Sequence, residues 1–308
     1  MTKLSVVIPV LNEETLIQEL IDRVTLNCEK ITNDYEVIIV DDGSLDGTWL
    51  KISEASKQNK KIKGLKFSRN FGHHYALTAG LHETIGEWVV VMDGDLQDRP
   101  EVIPDLYQES QKGYDVVFVS RKNRPEKIYY RALQKIFYWF LKSLSGLNFD
   151  SSQANFSIIS RKVVDAFKSF PENARFYGST IMWLGFKRSK IFADHGKRLS
   201  GKPSYTFRKR LRLASDIILS FSERPLKFAI GVGVILSTIS IIVATWIIYA
   251  AITWGYSVTG WTSLIFSIFF FSGVILVFLG IIGIYLGRVF QEVKRRPLYV
   301  VSDRLNQF

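Results

Sequence analysis

Apolar runs and polar breaks alternate along the first 120 residues, and their spacing switches between strand-like and helix-like. Leu4–Val10 is an almost unbroken apolar run of strand length, and from Glu13 to about Glu29 the apolar residues recur at helical spacing. Glu36–Val40 predicts a second strand ending at Asp41-Asp42-Gly43-Ser44, with Asp46 as N-cap of the next helix. Lys63–Phe67 predicts a third strand, followed by a turn at Asn70-Phe71-Gly72 and a helix through Leu81. Glu87–Met92 is the fourth, Pro100 suits the first turn of a helix running to about Lys112, and Asp115–Val119 is the fifth. Strands and helices in strict alternation predict a mostly parallel α/β sheet with helices on both faces.

The pattern then changes. From Phe228 to Gly287 no residue is charged. A helix needs about 20 apolar residues to cross the hydrocarbon of a bilayer, and two spans fit, near Phe228–Ala251 and Ser263–Leu286. Thr253–Trp261 between them reads as a short turn with interfacial aromatics. Arg208, Lys209, Arg210, Arg212, Arg224 and Lys227 precede the spans, Arg288, Lys294, Arg295 and Arg296 follow them, and the turn has no Lys or Arg. The positive-inside rule then places both termini in the cytoplasm, on a two-helix hairpin in the cytoplasmic membrane. No signal peptide is predicted, because the apolar run after Lys3 leads into Glu13-Glu14 rather than a cleavage site.

Charge is unevenly divided. Residues 1–120 carry 12 Lys and Arg against 20 Asp and Glu, residues 121–186 carry 11 against 4, and residues 187–227 carry 12 against 3. The basic middle contains two stretches of amphipathic spacing, Ile128–Leu144 and Leu211–Phe221. Such a stripe suits a packed core or, beside a membrane span, an interfacial helix. Positive charge next to the span has anionic lipid as its nearer partner, so no nucleic-acid binding is predicted. The single cysteine, Cys28, excludes an intrachain disulfide and reads as a helix packing residue. The expected divisions are 1–204, a basic juxtamembrane segment 205–227, the spans 228–287, and a C-terminal tail 288–308.

The candidate chemistry lies where strands end. Val89–Met92 runs into Asp93-Gly94-Asp95-Leu96-Gln97-Asp98, two carboxylates separated by a glycine just past a strand's carboxyl end. Open α/β sheets bind ligands at that edge. On an extended chain the alternate residues Asp93 and Asp95 share a side, and Mg²⁺ or Mn²⁺ is commonly held by one or two carboxylates plus substrate phosphates. Gly94 allows close approach to the backbone. An acidic turn is the plainer reading of these residues alone.

Three loops follow successive strands in this way: Pro9-Val10-Leu11-Asn12-Glu13-Glu14, Asp41-Asp42-Gly43-Ser44 and Asp93-Gly94-Asp95-Leu96-Gln97. Together with Ser68-Arg69-Asn70-Phe71-Gly72, Ser157–Arg161, Arg198–Tyr205, Ser220–Leu226 and the terminal hairpin, they resemble the GT-A glycosyltransferases of family 2. The polyisoprenyl-phosphate glycosyltransferases, and the bactoprenol glucosyltransferases among them, are the nearest subgroup. The resemblance implies a Rossmann-like GT-A catalytic domain over 1–204 and inverting transfer of glucose from UDP-glucose to a polyprenyl phosphate at the cytoplasmic face. It also implies a homo-oligomer. Residue by residue, it implies base and ribose contacts for Pro9, Asn12, Glu13, Asp41 and Asp42, with Gly94 beside the nucleotide sugar. Mg²⁺ or Mn²⁺ would sit on Asp93, Asp95 and Gln97. Arg121, Arg131, Arg198 and Ser204 would contact diphosphate or acceptor phosphate, a task for which guanidinium supplies paired donors. Asp42 is equally a turn acid, since Asp-Gly is a common turn dipeptide. His73 and His74 read as structural or peripheral to the nucleotide.

One departure bears on mechanism. Many members of the family it resembles carry Gly-Asp-Phe where this chain has Ala154-Asn155-Phe156, and asparagine cannot act as a base. A phosphate monoester with a second pKa of about 6 is already largely dianionic and needs none. The rival readings are another donor such as GDP-mannose or a UDP-aminoarabinose-type sugar, and a membrane-tethered protein that binds nucleotide sugars without transfer. A processive polysaccharide synthase is disfavoured because the Gln-x-x-Arg-Trp motif is absent.

Overall fold

The computed structural model describes residues 2–121, 153–170, 176–193, 224–254 and 260–306. Leu4–Val10 (β1) and Tyr35–Asp41 (β2) are buried at every position, as parallel strands covered on both faces must be. They pair with Ile62–Phe67 (β3) and Trp88–Val91 (β4) in the all-parallel order β4-β1-β2-β3. Val116–Arg121 (β5) and Arg188–Ala193 (β7) run in the same direction, but Gln153–Ser160 (β6) lies antiparallel between β4 and β5. Val301–Leu305 (β8) closes the other edge antiparallel to β3, giving eight strands in the order β7-β5-β6-β4-β1-β2-β3-β8. The expected α/β architecture is therefore present, as a mixed sheet in which six of the eight strands are parallel.

Alternate residues of β1 feed two cores. Leu4, Val6 and Ile8 pack with Ile17–Glu29 (α1), Thr48–Gln58 (α2) and Ile103–Ser110 (α4). Val7 packs on the opposite face with Leu77 and Leu81 of His73–Glu83 (α3) and with residues of Arg161–Lys168 (α5) and Tyr177–Trp183 (α6).

Element ends moved where polar side chains competed with the backbone. α1 starts at Ile17 rather than Glu13: the N–H groups of Glu13 and Glu14 donate to Thr48 Oγ1 and Asp46 Oδ2, which hold these residues in the loop. Gly47 occupies the cap of α2, yet Asp46 Oδ1 accepts from both the N–H and the hydroxyl of Thr48, so the expected capping chemistry acts from one residue earlier. Residues 100–110 divide into a 3-10 turn at Pro100–Val102 and α4. Val301–Leu305, expected within a tail, is a strand of the sheet. Its five residues are too short and too polar in outward pattern to announce themselves.

Two compact units result. One holds the sheet, including the segment from Arg296 onward; the other holds Arg224–Trp254 (α7) and Trp261–Val293 (α8). Within α7 and α8, Ala229–Ile247 and Ser267–Val293 are long and apolar enough to cross a membrane, with mean hydropathy 2.2 and 2.6. Their hydroxyls bond within the helix: Thr238 donates to the Val234 carbonyl, Thr245 to Ile241 and Ser267 to Ser263. Helices suit hydrocarbon because their polar backbone is satisfied internally, and here the hydroxyls follow suit.

α3 crosses β1 at Gly80, where a Cβ would collide with Val7 Cγ1 and lie 3.2 Å from Val40 Cγ2. Gly80→Ala is expected to destabilise the sheet unit by about 1–3 kcal/mol through overpacking. Thermal unfolding of the full chain in detergent would show this, and an unchanged midpoint would contradict the close crossing.

Candidate active site

The order β4-β1-β2-β3 brings the loops after these four strands to one edge, and glycines let them touch. Gly43 has φ +76°, and a Cβ there would collide with the backbone of Arg69, so the loops after β2 and β3 meet at its bare Cα. At Gly94 a Cβ would stand 2.6 Å from Val10 Cγ1 and 3.1 Å from the Pro9 carbonyl oxygen. That contact seats the β4 loop on the end of β1, and it accounts for the missing side chain.

Hydrogen bonds lock the first two loops together. Asn12, in the left-handed region at φ +55°, donates its N–H to Ser44 Oγ at 2.9 Å and accepts from the Leu45 N–H through Oδ1. Glu13 N–H donates to Thr48 Oγ1. Glu14 Oε2 accepts from Gly47 N–H, while Asp46 Oδ2 accepts from Glu14 N–H. Glu14, Ser44, Asp46 and Thr48 were not singled out as site residues. Their role in joining the two loops has no local signal, because the partners across the loops lie more than thirty residues away.

Asp41 is fully buried; Oδ1 accepts from Ser44 N–H, and Oδ2 has no hydrogen-bond partner among the described residues. Asp42 accepts from the N–H groups of Phe71 (2.8 Å) and Gly72 (3.0 Å), so it pins the loop after β3. This is the turn-acid geometry, although a carboxylate with about four acceptor sites keeps capacity for another donor. Burial pushes both carboxyls above the ordinary carboxylate range, against the hydrogen bonds that lower them.

β4 ends at Val91, so Asp93, Gly94 and Asp95 lie in a turn and the same-side argument from an extended chain does not apply. Asp95 accepts from Gln97 twice, from its backbone N–H at 3.1 Å and from its amide Nε2 at 2.8 Å. Buried Asp98 accepts from Asp93 N–H. His73 Nε2 stands 3.4 Å from Asp93 Oδ1 and 3.4 Å from Asn155 Nδ2, which places α3 and β6 beside the acidic turn. Burial lowers the His73 pKa, opposed by the charges of Asp42 and Asp95. Asn155 is steadied from behind: Ser157 Oγ donates to its carbonyl and meets buried Tyr177 Oη at 2.7 Å.

The donor set around this turn is two carboxylates and a carboxamide, all hard oxygen ligands of the kind Mg²⁺ and Mn²⁺ accept. Gln97 now points its amide nitrogen at Asp95, so ligation by its oxygen requires the amide to turn over. Among the described residues no three His, Cys, Asp or Glu form a closed metal cluster. A pair that leaves coordination positions for phosphates is what a substrate-bridged Mg²⁺ site needs. Arg121 is the last residue of β5. Its side chain, with Arg131, Arg198, Ser204 and both amphipathic stretches, lies outside the described residues.

Residues 5–167 match the family model described as glycosyl transferase family 2. The chain belongs to that family. Among family members, it is 39% identical over 98% of its length to an uncharacterized glycosyltransferase of Synechocystis sp., covering 95% of that protein. It is 34% identical over 98% of its length to the bactoprenol glucosyl transferase of Shigella phage SfX, covering 99% of that protein. The fold is shared with glucosyl-3-phosphoglycerate synthase from Mycobacterium tuberculosis, solved with Mn²⁺, UDP and phosphoglyceric acid. There the TM-score is 0.53 at 20% identity, covering 71% of this chain and 76% of that one.

His74, next to the site on α3, is held neutral: burial first, then His73, lowers its pKa to about 3, and Nδ1 has no hydrogen-bond partner among the described residues. In the unfolded chain it titrates at its ordinary value near 6.5. Its contribution is therefore complete above pH 6.5 and is lost as the pH falls from there towards 3. Between pH 7.5 and pH 5 the loss is expected to be on the order of 1–2 kcal/mol. His74→Phe should flatten that part of the pH–stability curve, and an unaltered slope would contradict a neutral buried His74.

Proposed function

We propose that the chain is an inverting, metal-dependent transferase that moves glucose from UDP-glucose to a polyprenyl phosphate on the cytoplasmic face of the membrane. The observation that carries this is the acidic turn Asp93–Gln97, seated against the carboxyl end of β1 in a chain that also contains two helices able to span a bilayer. The full-length similarity to the bactoprenol glucosyl transferase supports the same donor sugar and lipid. The Mn²⁺ and UDP named with the mycobacterial synthase are consistent with a metal–diphosphate arrangement on this fold.

In this reading residues 1–204 form the catalytic domain, 205–227 the juxtamembrane segment, 228–287 the membrane hairpin and 288–308 a cytoplasmic segment whose strand β8 completes the catalytic sheet. Pro9, Asn12, Glu13, Asp41 and Asp42 receive base and ribose, with Asp42 also holding the loop after β3. Asp93, Asp95 and Gln97 hold Mg²⁺ or Mn²⁺, whose contribution when bound is counter-charge on the departing diphosphate. A lipid phosphate oxygen forms the new bond at the anomeric carbon from the face opposite UDP as the bond to the UDP oxygen breaks. Arg121, Arg131, Arg198 and Ser204 offset the phosphate charges. The acceptor arrives as an anion, so Asn155 has no proton to remove; its amide beside His73 orients rather than deprotonates.

Asp95→Asn is expected to abolish glycolipid formation from labelled UDP-glucose and polyprenyl phosphate, and excess chelator should do the same to the wild type. Undiminished turnover in chelator would refute the metal assignment. Offering GDP-mannose and other nucleotide sugars to the same acceptor tests the donor.

The hairpin predicts that a tag after Phe308 is cytoplasmic and one inserted at Gly255 is on the opposite face. Protease or cysteine-labelling accessibility in intact cells would read this, and both tags on one side would exclude the hairpin.

A further inference from the structure

We infer that Tyr299, which leads into β8, is a positioning residue for the loop Ser68–Gly72 beside the proposed nucleotide site. The inference rests on the proposed nucleotide-binding role of the β1 and β2 loops, and it begins from an aromatic stack. The Tyr299 ring lies on Phe67, the last residue of β3, with centroids 5.0 Å apart and planes 13° apart. Phe67 in turn makes a T-shaped contact with Phe71, centroids 5.6 Å apart and planes 85° apart. The Phe71 N–H is one of the two donors bound by Asp42. A single line of contacts thus runs from the C-terminal segment, through two phenyl rings, to the carboxylate at the end of β2.

The segment is held along its whole length. Ser68 N–H donates to the Val300 carbonyl, so pairing starts where the loop starts. β8 pairs with β3 from Val301 to Leu305. At the far end the Asn306 amide donates to Ser56 Oγ at 2.7 Å and to the carbonyls of Ser56 and Ile62, and Arg304 pairs with Glu83 on α3. Phe71, Tyr75, Tyr299 and Val301 all pack on the same small core of Ile38, Val40, Leu65, Phe67, Ala76 and Ala79.

A strand that merely covered an edge would not need this arrangement. Phe67 is 1% exposed, so its ring cannot tilt freely, and it touches both the Tyr299 ring and the Phe71 ring. Removing the Tyr299 ring leaves Phe67 and Phe71 a space to relax into. The loop then loses its register against Asp42 and the pocket for the nucleoside loosens, while the hydrogen bonds that Asp95 and Asp98 accept within the acidic turn after β4 remain. The residue therefore acts on donor binding and not on the transfer step.

The test uses the full chain in detergent or nanodiscs, with UDP as the probe and hydrogen exchange at the Phe71 and Gly72 amides as a readout that requires no ligand. Tyr299→Ala should raise exchange at both amides and weaken UDP binding roughly three- to tenfold, the scale of an aromatic pair. It should raise donor KM accordingly, with kcat changed by less than about twofold. Tyr299→Phe, which keeps the stack and loses only the hydroxyl, should match the wild type, and Tyr299→Leu should fall between. Asn306→Ala, which frees the far end, should leave both amides protected. Wild-type exchange and UDP affinity in Tyr299→Ala and Tyr299→Leu would overturn the inference, as would a loss in kcat with donor KM unchanged. Should Asp42→Ala bind UDP like the wild type, the nucleotide reading of that loop fails; exchange at Phe71 and Gly72 would still decide the positioning role.

Discussion

Backbone N–H groups hold the acidic edge of this sheet in place. Asp41 takes the N–H of Ser44, Asp42 those of Phe71 and Gly72, Asp95 that of Gln97 and Asp98 that of Asp93. Glu14 takes that of Gly47, and Asp46 those of Thr48 and Glu14. Each is a charge-assisted bond worth about 1.5–3 kcal/mol, enough to offset a good part of the cost of gathering carboxylates at one sheet edge. Because the donors are main-chain groups, the same bonds also fix the paths of the loops. Charge placement and loop geometry are one problem here, solved by one set of contacts.

Steric economy completes the arrangement. Gly43 and Gly94 let neighbouring loops approach to distances at which no side chain fits. Asn12 and Leu96 adopt positive φ without being glycine, at +55° and +58°. Both lie in the loops of the acidic edge, where locally unfavoured backbone is sustained by the surrounding bonds. The paths of these loops are therefore fixed by bonds within the chain itself.

Much of this was legible in the chain. Strands β1, β2 and β4 declared themselves because burial on both faces favours apolar runs, β3 with its half-buried Lys63 and Lys66 followed from its place in the alternation, and the acidic turn was visible because charges following an apolar run are rare. The apolar helices were visible for the same reason on a longer scale. What stayed hidden is what depends on distant partners. β6 enters antiparallel between β4 and β5 because residue pairing, and not apolar pattern, selects its neighbours. Asp42 reads as a ligand or a turn acid until Phe71 and Gly72 are seen beside it. His73 read as structural or peripheral, and its place beside Asp93 comes from α3 beginning and β4 ending at the same edge. β8 is polar enough to pass for a tail, since an edge strand buries little.

The pairing of β3 with β8 also sets an order of events during synthesis. Ser302 and Lys66, which share a hydrogen bond, are separated by 236 residues of chain. Every other strand of the sheet has been made well before residue 301 leaves the ribosome, and both apolar helices have been made as well. Until then the outer side of β3 is an open row of donors and acceptors, the feature of a nascent chain most prone to pairing with the wrong strand. The nascent protein thus passes through a stage in which its hydrophobic helices have already emerged while its sheet still has an uncapped edge. Quality control could read that edge as the mark of an unfinished molecule.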